Sequence, residues 1–235
     1  MGIAQERANK KPIGPHGKIC GFRCAYRTSM SEFDDGGLYL AEYEGDLFVF
    51  LDDNREEGLD DGEQVAGQAR LFVLNADAAE SEGENLFDLL DRRAETAAYI
   101  PLLGDEIGNF SPAVCKILGE EMALSRNMLI LDRLEILPQY RGQQLGLKYV
   151  RAAITRFGIG CRLVAIKPFP LQFEGKLESV EAGAIGAEIQ FSPPSKSVLN
   201  ELRAATAKLK KYYTREGFVS LRGSDLMILD LEKQR

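Results

Sequence analysis

Leu134-Glu135-Ile136-Leu137-Pro138-Gln139-Tyr140-Arg141-Gly142-Gln143-Gln144-Leu145-Gly146 is the stretch on which the fold turns. An apolar strand runs into Pro138, and a short basic turn containing glycine follows from Arg141 to Gly146. A helix comes next, because Leu147, Val150, Ile154 and Phe157 fall three, four and three residues apart on one face. Lys148, Arg151 and Thr155 fall on the other. A strand, a glycine turn and a helix start together make an anion site. The first N–H groups of a helix have no intrahelical partner, and its dipole favours negative charge.

Downstream, Gly158 and Gly160 bracket a turn, and Cys161–Lys167 reads as a short apolar strand stopped by Pro168 and Pro170. With Asn127–Leu137 as the preceding strand, this is a strand-helix-strand unit and predicts a right-handed parallel crossover. Leu171–Pro194 is irregular and long enough to be a functional loop or an insertion. Ser195 or Ser197 caps a helix with Val198, Leu202, Ala205, Leu209 and Tyr212 on its inner face, ended by Glu216-Gly217. Phe218–Leu221 and Leu226–Leu231 read as strands joined by a turn at Arg222–Asp225.

Upstream, Lys18–Thr28 reads as a first strand. Leu38–Tyr43 and Leu47–Leu51 read as two apolar runs parted by a turn at Glu44-Gly45-Asp46. Asp52–Glu63 carries seven acids and one arginine and lacks the register of a calcium loop, so it reads as a solvated hairpin loop. Gln64–Asn75 returns as a strand. Ala76–Asn85 reads as a loop and Leu86–Ile100 as one helix. Ser111-Pro112 starts a short helix that stops at Gly119.

The 235 residues suit one domain, residues 18–235, behind a polar, flexible tail over 1–17. No apolar run is long enough to cross a bilayer and no signal-peptide core precedes the domain, so the expectation is a soluble, cytoplasmic protein. The net charge of −7 is unevenly spread: Pro138–Arg215 holds thirteen Lys/Arg and five Asp/Glu. An acidic chain with one basic segment suits a small polyanion better than nucleic acid. Cys20, Cys24, Cys115 and Cys161 read as structural thiols, and Cys20, Cys24 and His16 do not make a four-ligand zinc set.

Two separated segments resemble the GNAT superfamily of acetyl-CoA-dependent acyltransferases. In the first, Arg141 and Gly146 match the ends of the family's acyl-CoA loop and Gly142 its glycine beside the arginine; Gln144 departs where glycine is usual. The second, Leu209–Phe218, resembles the late signature of an aromatic pair, Tyr212-Tyr213, followed by Gly217-Phe218. The resemblance implies an α/β fold with a central mixed sheet flanked by helices; the stretch Ala76–Gly119 departs from the family's pattern and reads as a helical insertion near 76–119. It implies an enzyme, an N-acetyltransferase that moves acetyl directly from acetyl-CoA to an amine, with no metal. Its cofactor residues would be Leu134 and Ile136 on the strand edge and Arg141, Gly142, Gln143, Gln144, Leu145 and Gly146 in the turn. Tyr213 would protonate the departing thiol. The amine's proton would go to Glu135 or Asp132, whose odd separation predicts opposite faces of the strand, with Glu135 the catalytic choice.

The expected partners are acetyl-CoA and an amine on a small molecule or peptide, with a homodimer allowed and neither nucleic acid nor membrane. The alternative is a non-catalytic acyl-CoA-binding module that acts through a protein partner. Gln144 and the lack of a carboxylate on Cys161–Lys167 keep it open.

Overall fold

The structure, a computed structural model, describes residues 18–28, 38–52, 63–104, 109–120, 123, 125–174 and 195–234. The tail over 1–17, most of the acidic loop and residues 175–194 lie outside this set, as does His16.

Among the described residues seven strands form one mixed sheet: β1 (Lys18–Arg27), β2 (Leu40–Asp52), β3 (Glu63–Leu74), β4 (Met128–Ile136), β5 (Leu163–Ile166), β6 (Val219–Ser220) and β7 (Met227–Asp230). Their order is β1-β2-β3-β4-β5-β7-β6, and every pair is antiparallel except β4 with β5. That pair is joined by α5 (Leu145–Phe157), as the crossover reading expects. Helices α1 (Ala76–Ser81), α2 (Leu86–Asp91), α3 (Ala94–Ala97) and α4 (Pro112–Leu118) lie between β3 and β4, and α6 (Lys196–Thr214) precedes β6. The molecule is therefore α/β with its helical insertion after β3.

The sheet separates two cores. Met128 and Ile130 of β4 join Phe72, Leu89, Leu90 and Tyr99 on the face of the insertion. Leu129 and Leu131 join Leu71, Tyr149, Val150 and Tyr213 on the face of α5 and α6. Those four β4 residues are buried, so this segment is apolar on both sides, as a central strand with a parallel neighbour must be.

Three expectations are corrected. Glu44-Gly45-Asp46 is not a turn: β2 runs straight through it, with Gly45 opposite Tyr26 and Ala69. The Tyr26 ring lies over Gly45 so closely that a Cβ there would come within 3.0 Å of two ring carbons, so the glycine makes room for an aromatic rather than for a bend. Ala76–Asn85 is not all loop, because Asn75 caps α1 by accepting the Ala78 N–H. Leu86–Ile100 is not one helix. Arg93 turns extended, and the buried Thr96 hydroxyl donates to the Leu90 carbonyl at 2.6 Å, taking the acceptor that a continuing helix would have given to the Ala94 N–H. A short helix, α4, does start at Ser111-Pro112, and Gly119 stops it in the left-handed conformation.

Arg162 stitches the insertion to the sheet. It is 4% exposed and donates to Asp230 at 2.5 Å and to Glu120 at 2.6 Å. Among the described residues no helix is long and apolar enough to cross a membrane.

Candidate functional site

β4 and β5 share a ladder only from Met128 opposite Leu163 to Leu131 opposite Ile166. β4 then continues to Ile136 with a partner on the β3 side, where Gly67 stands opposite Ile136. On its other side β5 is led away by Lys167-Pro168-Phe169-Pro170. The prolines have no N–H to give to a ladder, so the sequence itself prevents the strands from closing.

The gap opens a cleft of about 660 Å³. Its floor is the edge of β4 from Leu131 to Ile136, one wall is Ile166–Gln172, and the other is the start of α5 with the last turns of α6. Leu134 and Ile136 point toward the α5 face and pack against its core. Their free backbone edge is the strand edge expected to hold the cofactor.

The turn Arg141–Gly146 lines the same cleft, with Gly142, Gln144, Leu145 and Gly146 at its wall. Among the described residues no backbone carbonyl takes the N–H groups of Gly142 through Gly146. Gly142 has φ 82° and Gln144 φ 60°, the one positive-φ residue other than glycine among those described. This explains why glycine is the easier residue there: the left-handed conformation costs an L-residue roughly 1–2 kcal/mol. Strain of this kind concentrates at functional turns. Arg141 is exposed, and its Nε donates to the Ile136 carbonyl at 2.8 Å, tying the turn to the end of β4. Lys208 and Arg215 on α6 and just after it add cations to the lining.

The two tyrosines of the late signature divide their roles. The Tyr212 hydroxyl accepts the Leu147 N–H at 3.2 Å and so braces the first turn of α5. Gly146 makes this contact feasible, since a Cβ there would lie 3.2 Å from the same hydroxyl. Tyr213 is 7% exposed and lines the cleft. Burial pushes its phenol well above the ordinary value, and the neighbouring Tyr212 adds to this. It therefore keeps its proton and can donate it.

The two carboxylates of β4 are not on opposite faces. A bulge separates Arg133, opposite Arg70, from Leu131, opposite Leu71, and leaves Asp132 as the extra residue. The Asp132 Oδ2 accepts from Arg70 Nε at 2.9 Å, and Arg70 also reaches Glu95 at 2.9 Å. Arg133 sits 3.7 Å from Glu135, two residues on. One extra residue shifts the alternation, so Asp132, Arg133 and Glu135 share the face of the insertion. Burial raises the Asp132 carboxyl above its usual range, against the opposing pull of its Arg70 hydrogen bond. Glu135 is more exposed, its side chain 39% accessible. Arg133 holds both oxygens of Glu174 at 2.7 Å, bridging the parted ends of β4 and the segment after β5.

Compared with known proteins, the chain matches no family model, no curated protein and no solved structure. What its site does must be argued from its own residues. Tyr213, Glu135, Leu134, Ile136 and most of the turn, predicted from separate segments, line one cleft. Two features had no sequence signal. The bulge at Asp132 leaves no mark in composition, and Arg70 on β3 meets Asp132 only through strand register.

Proposed function

We propose that the protein is a GNAT-type N-acetyltransferase that uses acetyl-CoA and acetylates an amine. The observation that carries this reading is one cleft with three matched ends. The open N–H groups of Gly142 through Gly146 suit a pyrophosphate. The free edge of β4 suits the amides of a pantetheine arm, which would lie along it as an added strand. The Tyr213 phenol lines the same cleft and suits the thiol end of that arm. A mixed sheet whose single parallel pair parts part-way along β4 also fits a GNAT-type fold, and Arg141, Lys208 and Arg215 supply charge for the phosphates.

The chemistry follows from these residues. The amine nitrogen attacks the thioester carbonyl carbon, a C–N bond forms and the C–S bond breaks. The departing sulfur, a thiol of pKa about 8.5 in water, takes its proton from Tyr213, a phenol of pKa about 10 in water. The proton lost by the amine passes to a carboxylate. Asp132 is better suited than Glu135, because it is more buried, its carboxyl is raised, and both contacts from Arg70 fall on one oxygen.

A free-thiol release assay with acetyl-CoA and a panel of primary amines tests the reading. Amine-dependent release of one thiol per acetyl transferred is the expected result. Saturable CoA binding with no release for any amine would instead favour the non-catalytic module.

A further inference from the structure

Arg70, on β3, is set between two carboxylates. Its Nε and one terminal nitrogen bond Asp132 Oδ2 at 2.9 and 2.8 Å, and its other terminal nitrogen bonds Glu95 Oε1 at 2.9 Å. Glu95 lies in the first turn of α3, so this second hold comes from the helical insertion. The Arg70 side chain is 27% exposed and that of Asp132 15%, so water screens their contact less than it screens a surface pair.

The geometry is more particular than an ion pair requires. A guanidinium and a carboxylate commonly meet fork to fork, with one nitrogen on each oxygen. Here both nitrogens fall on Oδ2. Among the described residues no hydrogen bond or ion pair reaches Oδ1, and Asp132 lines the cleft. Asp132 is also the bulged residue of β4 and has no partner across the ladder, so its side chain is aimed by its contacts rather than by strand register.

We infer that Arg70, itself held by Glu95, is the positioning residue that orients the Asp132 carboxylate and leaves Oδ1 for an amine in the cleft. This rests on the function proposed above, in which Asp132 takes the amine's proton. The insertion thereby reaches the reaction through Glu95 and Arg70, although none of its described residues lines the cleft. The charges around Asp132 give the two residues opposite effects. Arg70 from β3 and Arg133 on β4 favour the carboxylate, and Glu95 from α3 favours the protonated acid. Glu42 of β2 is paired with Arg93, and Glu135 lies 3.7 Å from Arg133. The Tyr99 hydroxyl, just after α3, bonds the neighbouring Leu131 carbonyl, while Lys167 beyond β5 and Tyr213 of α6 line the same cleft.

A carboxyl-detected NMR titration of Asp132, run beside the pH dependence of kcat/KM for acetyl transfer, tests the assignment. Arg70→Met keeps the stem of the side chain and removes its charge. The Asp132 midpoint should rise and the acid limb of kcat/KM should move to higher pH with it. The same variant should lower kcat by about 100-fold, the scale for misplacing a reacting group by about 1 Å. Glu95→Gln removes the opposing charge, so midpoint and limb should both move to lower pH. Glu95 is partly exposed, and this variant decides the matter even where Arg70→Met is unstable. Arg70→Lys keeps the charge but has one nitrogen where two are needed, so its limb should stay nearer wild type while kcat still falls. Asp132 midpoints unchanged in Arg70→Met and Glu95→Gln overturn the inference. So does a midpoint that moves while the acid limb of an active enzyme stays in place, the result expected of a merely structural pair. Absence of amine-dependent transfer in the wild type overturns the proposed function instead, and the NMR midpoints still decide whether Arg70 and Glu95 govern the Asp132 carboxylate.

Discussion

Tyr213→Phe is expected to lower kcat for acetyl transfer by about 100-fold, the usual scale for losing one positioned acid, and to leave CoA binding within about threefold. The substitution removes one hydroxyl from a side chain that is otherwise held by its ring, edge-on to Tyr212 and Phe218. Packing therefore survives, and the change falls on the step in which sulfur departs. Steady-state kinetics beside a CoA titration reads the two effects separately. Tyr212→Phe makes a useful contrast, because that hydroxyl braces the Leu147 N–H rather than facing the reaction. Equal rates for wild type and Tyr213→Phe would remove Tyr213 from the mechanism.

Arg162→Ala is expected to destabilise the fold by roughly 3–5 kcal/mol, the cost of leaving a buried partner charge uncompensated. At about 2–4 °C of melting temperature per kcal/mol for a chain of this size, the loss is on the order of 10 °C. The charge left behind is Asp230, itself 7% exposed. Burial alone would raise the Asp230 carboxyl, but the Arg162 hydrogen bond, with Lys233 and the Glu232 N–H, outweighs it and holds the group below its ordinary value. A depressed carboxyl contributes stability that is complete above its unfolded value near pH ~4 and is lost as pH falls through the folded value. Wild type should therefore lose this contribution only in strong acid. In Arg162→Ala burial dominates at Asp230 and favours its protonated form in the folded state, so the gap in melting temperature between variant and wild type should narrow as pH falls into the acid range. A variant that melts with wild type would mean that the cluster is solvated.

The elements around the opening stretch were legible because their signals are local. The three-four-three spacing of Leu147, Val150, Ile154 and Phe157 fixes α5, and Leu147 and Val150 are indeed buried. Pro168 and Pro170 end β5 for a reason intrinsic to proline. Gly45 misled because a glycine between charged residues reads as a turn, whereas this one accommodates the Tyr26 ring from the neighbouring strand. The face of Glu135 was misread because the alternation of a strand holds only until a bulge, and the extra residue at Asp132 is decided by pairing with β3.

The central claim is that acyl-CoA lies along the β4 edge with its phosphates on the Gly142–Gly146 turn. An amide-resolved NMR titration of the protein with CoA tests it most directly. Saturable shifts concentrated at Gly142 through Gly146 and at Leu134 through Ile136 are the predicted result. No saturation at millimolar CoA, or saturable shifts confined to residues outside the cleft, would contradict it.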